Sequence, residues 1–225
     1  MAIPLYFALT GAEFRLCREV PDYCGWLACH FSPYGKGITN FAQNLPDGGM
    51  LILDDSTPIN GHDPQQIIEQ IAALSIDSVL LDFQRSPTEE SLNMAKELST
   101  LPCPVGIAES HAQNLSCPIF LSAPPLHIPL RTYITPYQGR EIWLEVALGQ
   151  ECVTIDENGQ KAAAWFASDL PIFSSPTLAC RYQIVLEDQQ VSFLFHRTKE
   201  DLPTLLTLAQ SLGITRAIGL YQELQ

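Results

Sequence analysis

The sequence predicts an α/β protein: a compact (β/α)8 (TIM) barrel with an antiparallel β insertion before its last helix and strand. Three observations lead to this fold. Eight short apolar runs recur along the 225-residue chain, helix-like segments separate several of them, and hairpin signals cluster between about residues 150 and 197. Alternating strand and helix patterns are typical of parallel α/β folds, and eight strands close a barrel. We therefore expect residues 1–225 to form a single barrel domain that contains the insertion.

The eight strand-like runs are mostly apolar without strict alternation, and most of them end in a polar or acidic residue. Strands of a parallel sheet are covered on both faces, which produces continuous apolar runs of this kind. The carboxyl ends of barrel strands meet at the face where the active sites of barrel enzymes lie. In chain order the runs are Pro4–Gly11, Gly25–Ser32, Met50–Asp55, Ser78–Gln84, Pro104–Glu109, Pro118–Ser122, Glu141–Leu148 and Ala217–Gln222.

Three segments between these runs carry helix signals. Asp63–Leu74 begins with an aspartate that can cap a helix, followed by a proline at the first helical position. Thr88–Leu98 follows the fourth run, and Thr198–Gly213 ends in a glycine suited to a C-terminal cap. Between Pro118 and Pro136 the prolines predict a connection without a regular helix, since proline disrupts helix interiors.

The predicted insertion has a different pattern. Val153–Lys161 contains Asn158 and Gly159, a pair of residues typical of a tight hairpin turn. Arg181–Leu186 and Val191–Phe195 flank a second polar turn. These signals predict antiparallel strands in a chain that otherwise reads as parallel.

The composition is that of an acidic, globular protein. Apolar residues make up 46% and charged residues 16% of the chain, which excludes global disorder. The net charge is −13, and only 12 Lys and Arg residues are spread along the sequence. Nucleic-acid binders cluster their cations against phosphates, and anionic lipids repel an acidic surface. Neither nucleic acid nor membrane is therefore an expected partner.

The N-terminus and the cysteines bear on location. Met1–Leu9 has no basic region before its apolar run, which is unlike a signal peptide, and no window reaches the roughly 18 apolar residues that span a bilayer. The 7 cysteines include no C-x-x-C pair, which favours reduced core thiols. We predict a cytoplasmic protein without a cofactor or a metal site; the oligomeric state stays open.

The strongest functional signal lies in and beside the fourth run. It resembles the catalytic strand of family 18 glycoside hydrolases (chitinases and related spore-wall enzymes), whose pattern is D-x-x-D-x-D-x-E. Asp77 and Asp82 match the pattern, and Phe83 matches the Phe or Trp that the family has between its last Asp and its Glu. Leu80 replaces the middle Asp or Asn, and Gln84 stands where the family has its proton-donating Glu.

A second block, Tyr182–Leu224, resembles the C-terminal hairpin, helix and short last strand of the same family. Tyr221 falls where the family usually has a Trp that forms the floor of the sugar site, and the insertion falls where the family also has one. Leu53–Ser56 stands in place of the family's small-residue third strand. The resemblance implies a glycosidase-like barrel and adds a bacterial sporulation compartment as a second location.

The residue at position 84 decides the chemistry that the resemblance implies. In the family, the Glu protonates the glycosidic oxygen while the N-acetyl group of the substrate attacks the anomeric carbon, oriented by the Asp residues. A general acid of this kind contributes about 10²–10⁴ in rate, and an amide cannot transfer the proton. We therefore predict that Asp82 and Gln84 mark the catalytic positions of a barrel that has lost its general acid and binds an N-acetylated carbohydrate without cleaving it.

Two alternatives stay open. One is an active glycoside hydrolase whose acid has moved to Glu109 or Glu145, which also end predicted strands. The other is a protein-interaction scaffold in which the barrel mouth is closed. For a carbohydrate ligand, the predicted binding residues are Asp54, Asp55, Trp143 and Tyr221.

Overall fold

The computed structural model describes residues 3–35, 37–39, 48–156, 170–187 and 190–225. Its strands form a closed parallel barrel and a separate antiparallel sheet, which confirms the predicted fold class. In chain order they are β1 (Leu5–Leu9), β2 (Cys24–Phe31), β3 (Ile38–Thr39), β4 (Gly49–Asp54), β5 (Ile76–Asp82), β6 (Val105–Ala108), β7 (Ile119–Leu121), β8 (Ile142–Glu145), β9 (Gly149–Asp156), β10 (Phe173–Ser175), β11 (Cys180–Glu187), β12 (Gln190–Arg197) and β13 (Arg216–Leu220).

The barrel consists of β1, β2, β4 to β8 and β13, one strand for each of the predicted runs. Every neighbouring pair is parallel, and β1 closes the barrel by pairing with both β2 and β13. The two-residue strand β3 pairs antiparallel with the end of β2. The carboxyl ends of all eight barrel strands therefore surround one mouth.

Helices connect part of the barrel strands. They are α1 (Gly11–Leu16), α2 (Pro64–Ala72), α3 (Glu89–Leu98), α4 (Leu130–Ile134), α5 (Leu202–Ser211) and α6 (Tyr221–Leu224). The predicted cap of α2 is present, since the Asp63 carboxylate accepts the Gln65 N–H at 3.0 Å, and the structure adds a cap at Thr88, before α3. Gly213, after α5, has the left-handed φ of +81° that favours glycine. No helix among the described residues is long and apolar enough to cross a membrane.

The connection between Pro118 and Pro136 differs from the prediction, because it contains the five-residue helix α4. Pro129 stands at the N-cap of this helix and not inside it. A proline there removes no intrahelical hydrogen bond, so one short helix fits between the prolines.

Strands β9 to β12 form the predicted antiparallel insertion, in the spatial order β10-β11-β12-β9. The hairpin of β11 and β12 is confirmed, with Arg181 opposite His196 and Glu187 opposite Gln190. The predicted turn at Asn158 lies outside the described residues.

The interior of the barrel at its amino-terminal end is filled by aromatic and polar side chains around one arginine. The Arg216 guanidinium lies 4.5 Å from the centre of the Trp143 ring and 5.4 Å from that of Tyr6. It also donates hydrogen bonds to the Ser78 hydroxyl at 2.5 Å and the Tyr6 hydroxyl at 3.3 Å. The Trp143 indole N–H donates to Glu141 at 3.2 Å. This cluster fills the bottom of the barrel interior, so a site inside the barrel is expected at the opposite end.

Candidate functional site at the carboxyl end of the barrel

Strand β5 sends alternate side chains into the barrel, and two of them decide the character of the site. Leu80 and Asp82 are two residues apart, so they point to the same side. Leu80 is 1% exposed and packs in the apolar interior cluster with Ile52 and Phe120. Asp82 lies one layer above it, at the mouth. The position that the resemblance assigns to the family's middle Asp or Asn is thus part of the hydrophobic interior.

Gln84 lies beside Asp82, and its side-chain amide donates a hydrogen bond to the Asp82 carboxylate. The loop that carries Gln84 is held by Asp55, whose carboxylate accepts the backbone N–H groups of Gln84 at 2.8 Å and Arg85 at 3.0 Å. Asp55 is 3% exposed. It was predicted as a ligand-binding residue, and in the structure both of its oxygens are engaged in shaping this loop.

The electrostatics of the mouth centre on Asp82. Burial, with smaller contributions from the negative charges of Glu145, Asp54 and Asp55, raises the pKa of this carboxyl to about 6 against the opposing effect of the Gln84 hydrogen bond. Bringing several carboxylates together disfavours ionisation of the most buried one. Asp82 therefore changes its protonation state at about pH 6.

Glu145 ends β8 and lies across the mouth from Asp82. Its carboxylate accepts the Ala123 N–H at 3.0 Å. Asp82 and Glu145 line the same small cavity, whose other walls are apolar and come from Ala8, Leu27, Ile52, Leu80, Phe120, Ile218, Gly219 and Leu220. Of the two predicted positions for a relocated acid, Glu145 is the one that the fold brings to Asp82.

The volume of this cavity is about 40 Å³. One water molecule occupies about 30 Å³ in the liquid, and small-molecule sites usually measure about 300–1,000 Å³. Among the described residues, the interior side of the mouth is therefore nearly filled.

A histidine and an aspartate form a polar pair on the rim formed by β2 and β4. His30 Nδ1 lies 2.9 Å from an Asp54 carboxylate oxygen, and the Ser56 hydroxyl lies 3.3 Å from the same nitrogen. Asp54 also accepts the Ser56 N–H at 2.9 Å. Since both partners contact the same ring nitrogen, the arrangement differs from a Ser-His-Asp triad, in which the serine and the acid bind opposite nitrogens.

Glu109 begins a short 3-10 turn after β6 and is exposed. It accepts a hydrogen bond from Tyr137, and after the larger effect of burial this contact raises the pKa of the Tyr137 hydroxyl. Glu109 is not one of the residues that line the cavity shared by Asp82 and Glu145. Of the two predicted positions of a relocated acid, Glu145 therefore shares the cavity with Asp82, and Glu109 lies outside it.

Trp143 was predicted to face the pocket, and the structure places it deep inside the barrel. It is 0% exposed and lies two residues before Glu145 on β8, one layer below the mouth. Its ring covers Arg216 and is unavailable to a ligand at the rim.

Tyr221 was predicted as the floor of a sugar site, and it packs on the outer side of the barrel wall. Its ring makes an edge contact with Phe7 at 6.3 Å between centroids, and its hydroxyl lies 3.1 Å from the Cys17 sulfur. Alternation along β13 points Ile218 and Leu220 inward, which leaves Tyr221 outside.

Several residues of the mouth had no signal in the sequence that singled them out. Leu27, Phe120 and Leu220 are ordinary apolar residues of apolar runs. For Leu220, two-residue alternation from Ile218 could have placed the side chain, because both belong to one interior layer. Groups of three or more potential metal-ligating side chains do not occur in the part of the chain that the structure describes.

Comparison with known proteins supports the fold. Neither a protein-family model nor a curated protein sequence matches this chain. Among solved structures, the chitinase-like agglutinin of Robinia pseudoacacia superposes with a TM-score of 0.61 at 10% identity, over 98% of this chain and 95% of that one. The spore cortex-lytic enzyme SleL of Bacillus cereus gives 0.59 at 11% identity, over 99% and 71% of the two chains. A GH18 chitinase from Cycas revoluta, in complex with (GlcNAc)3, gives 0.55 at 8% identity, over 98% and 95%. At such low identities, these similarities establish a chitinase-like barrel.

Proposed function

We propose that this protein is a chitinase-like barrel that does not cleave glycosidic bonds by the family 18 route and acts through binding. One observation carries the proposal: the Gln84 amide donates a hydrogen bond to Asp82 at the position that the resemblance assigns to the proton donor. An amide can hold the neighbouring carboxylate in place, but it has no proton to transfer to a leaving group.

The residue below this pair supports the same conclusion. Leu80 is buried among apolar side chains where the family has a polar residue. A hydrocarbon side chain cannot orient an N-acetyl group or tune a neighbouring acid, so two of the roles needed for substrate-assisted cleavage have no residue to perform them.

The partner that best fits this geometry is another protein, with the barrel as a scaffold. A cavity of about 40 Å³ has no space for a sugar ring beneath the rim. Trp143 and Tyr221, the two aromatic residues expected to stack on a sugar, point into the core and to the outside of the wall. We therefore place an interaction function before a sugar site inside the barrel.

Carbohydrate binding at the rim is the second candidate, and the solved structures favour it. One is a chitinase bound to (GlcNAc)3 and another is a chitinase-like agglutinin. In this candidate Gln84, Asp54 and His30 supply polar contacts to an N-acetylated sugar that lies across the mouth. The spore cortex-lytic enzyme among the neighbours supports a sporulation compartment as its location, beside the cytoplasm.

Hydrolysis with a relocated carboxylate is the third candidate, and one observation favours it. Asp82 and Glu145 line one cavity, and the raised pKa of Asp82, about 6, leaves part of it protonated in mildly acidic solution. Glycosidases usually use two carboxyl groups, of which one is protonated and the other ionised. In this candidate Asp82 donates the proton and Glu145 acts as the second carboxylate.

One experiment separates hydrolysis from the two binding candidates and tests whether the mouth admits a sugar. Wild-type protein, Gln84→Glu and a matched Gln84→Met control are incubated with (GlcNAc)4, and shortened products are measured by mass spectrometry. We expect no product from the wild type or from either variant. The mouth is nearly filled by side chains, so a sugar cannot enter it even where Gln84→Glu supplies a carboxylic acid.

The other outcomes are equally informative. Product from Gln84→Glu alone would show that the mouth admits a sugar, and would move the carbohydrate candidate to first place. Product from the wild type that disappears in Glu145→Gln would overturn the proposal in favour of hydrolysis.

A further inference from the structure

A surface cleft lies at the amino-terminal end of the barrel, where β7 and β8 begin. It is lined by residues 113–118 and 139–141, which directly precede these two strands. Its volume is about 470 Å³, against about 40 Å³ for the cavity at the mouth. Small-molecule sites usually measure about 300–1,000 Å³, so this cleft has room for a ligand that the cavity at the mouth cannot hold.

One arginine ties the two sides of the cleft together. The Arg140 guanidinium donates hydrogen bonds through Nη2 to the carbonyl oxygens of Leu115, Cys117 and Ala112, at 2.5, 3.0 and 3.4 Å. The side chain thus bridges from the loop before β8 to the loop before β7. Because these contacts hold the guanidinium and the loop in place, the site is formed before a ligand arrives, which lowers the entropic cost of binding.

The Arg140 guanidinium also has donors left for a ligand. An arginine carries five N–H groups, and Nη2 supplies only two of them. Among the described residues, no carboxylate oxygen lies within 4.0 Å of Arg140, and its hydrogen bonds all start from Nη2. Neither Nε nor Nη1 is one of the buried polar atoms that lack a partner, so both reach solvent. A planar guanidinium with exposed donors and no ion pair is suited to the oxygens of a phosphate or a carboxylate.

The loop before β7 adds neutral polar groups to the same cleft. The backbone N–H groups of Gln113, Asn114 and Ser116 make no hydrogen bond to another backbone group of the described chain. The side chains of these three residues, two amides and a hydroxyl, are exposed. Groups of this kind donate hydrogen bonds to an oxyanion and exchange hydrogen bonds with the hydroxyl groups of a ligand.

One acidic residue, Glu141, also lines the cleft. Its Oε1 accepts hydrogen bonds from the Thr215 hydroxyl at 2.8 Å and from the Trp143 indole N–H at 3.2 Å, and the side chain is exposed. A carboxylate repels a second anion and accepts hydrogen bonds from hydroxyl groups. A ligand that suits both charged residues therefore places its oxyanion at Arg140 and its hydroxyl groups at Glu141.

We propose that this cleft binds a small hydroxylated molecule that carries one phosphate or carboxylate group. The cleft is independent of the interaction function proposed above, because it precedes β7 and β8, whereas the mouth lies at the carboxyl ends of the barrel strands. Its ligand would be recognised by the guanidinium, the amides and the one carboxylate that line the two loops.

The test uses three hexoses as probes: glucose 6-phosphate, glucuronate and glucose. They share a hydroxylated ring and differ in the group at its last carbon. Each is titrated into the full chain, and binding is followed through the backbone amide signals in proton–nitrogen NMR spectra. We expect both anionic hexoses to bind, with the largest shifts in residues 113–118 and 139–141. Glucose should bind about tenfold more weakly or less, because hydrogen bonds to a charged group are about twice as strong as neutral ones.

Two variants test the charge of the cleft. Arg140→Gln should weaken the binding of glucose 6-phosphate about tenfold or more, since it removes the cation. Asn114→Asp adds a negative charge and leaves the Arg140 contacts in place, so it decides the question even where Arg140→Gln disturbs the loop. It should weaken binding about fivefold or more, because like charges a few ångströms apart repel. Asn93→Asp is the matched control: the same exchange at an exposed position of α3, outside the cleft, should leave binding unchanged.

Four results would overturn the inference. They are no shift with either anionic hexose at about 10 mM, ten times a weak Kd of about 1 mM; binding of glucose as tight as that of the anionic hexoses; equal effects of Asn114→Asp and Asn93→Asp; or shifts centred on Gln84 and Ala123 at the mouth. Tighter binding of glucose 6-phosphate than of glucuronate would assign a phosphate site, and the reverse order a carboxylate site. Cleavage of (GlcNAc)4 would overturn the proposed function without changing how this binding result is read.

Discussion

The two ends of the barrel interior contrast in how they use polar groups. At the amino-terminal end, Arg216 is stacked on Trp143 and donates hydrogen bonds to Ser78 and Tyr6. At the carboxyl-terminal end, Asp82 and Glu145 line one cavity, and the neighbouring carboxylates disfavour the ionised form of Asp82.

The two ends of the barrel therefore affect the free energy of folding in opposite directions. A stacked and hydrogen-bonded cation stabilises the fold, whereas carboxylates crowded at a mouth reduce stability and are usually retained for a ligand or a reaction. Here the carboxylates at the mouth raise the pKa of Asp82, and the Gln84 amide donates a hydrogen bond to it. The predictions below test the contrast, from the largest expected effect to the smallest.

Trp143→Ala should have the largest effect, because it removes the aromatic plug from the amino-terminal end. The indole is fully buried and covers the Arg216 guanidinium. Removing a buried Trp costs about 3–5 kcal/mol, and here it also removes the ring that stacks on the partly buried Arg216 guanidinium. The free energy of unfolding from urea titration measures the loss. A loss below about 1 kcal/mol would show that the plug does not hold the barrel together.

Gly106→Ala tests the same end from the neighbouring strand β6. A Cβ at this position would meet the six-membered ring of Trp143, which is itself fixed against Arg216. Overpacking of a well-filled core costs about 1–3 kcal/mol. Gly149→Ala is the matched control, since a Cβ there meets nothing within 4 Å. Equal melting temperatures of the two variants would contradict the close packing described for the plug.

Asp82→Asn should stabilise the protein at neutral pH. The pKa of Asp82 is about 6 in the folded protein and near 4 when unfolded, so between these values the folded state holds a proton that the unfolded state releases. The wild type therefore loses stability as pH rises from about 4 to about 6, and the variant does not share this loss. We expect the variant to be more stable by roughly 1–2 kcal/mol at pH 7.5, with the difference shrinking towards pH 4. Urea titrations at both pH values measure the free energy of unfolding. A variant that is less stable than the wild type at pH 7.5 would contradict the claim that the folded protein disfavours ionised Asp82.

Glu109→Gln should have the smallest effect. Glu109 is exposed and lies outside the cavity of Asp82 and Glu145, and glutamine keeps an acceptor for Tyr137. Surface substitutions of this kind change stability by no more than about 0.5 kcal/mol. Glu145→Gln is the comparison, because Glu145 is one of the charges that act on Asp82. We expect its melting temperature to shift more than that of Glu109→Gln. A shift of the same size in both would place Glu109 in the charge cluster of the mouth.

The fold could be predicted from the sequence, but the directions of the side chains at the site could not. All eight barrel strands could be found because each is a continuous apolar run that a sheet covered on both faces requires. The helices that begin after Asp63 and Thr88 could be found because their caps are local in sequence. The short helix α4 was missed because proline at an N-cap acts differently from proline in a helix interior.

The site was harder to predict. A residue lines the mouth only if its side chain points into the barrel and lies in the layer nearest the carboxyl ends of the strands. Trp143 and Glu145 share an inward face, yet the strand register puts one in the plug and the other at the rim. Tyr221 lies one residue beyond Leu220, and that single step turns it to the outside. Glu109 and Glu145 look equivalent as strand-end carboxylates, and only the closed barrel shows which of them meets Asp82.

The measurement that tests the central claim most directly is the cleavage of (GlcNAc)4 by the wild-type protein between pH 5 and pH 7, followed by mass spectrometry, with Glu145→Gln as the control. We expect no shortened oligomer above the buffer blank at any pH, because Gln84 stands at the position that the resemblance assigns to the proton donor and the described part of the mouth is nearly filled. Turnover by the wild type that is lost in Glu145→Gln would contradict the claim and assign the catalytic pair to Asp82 and Glu145.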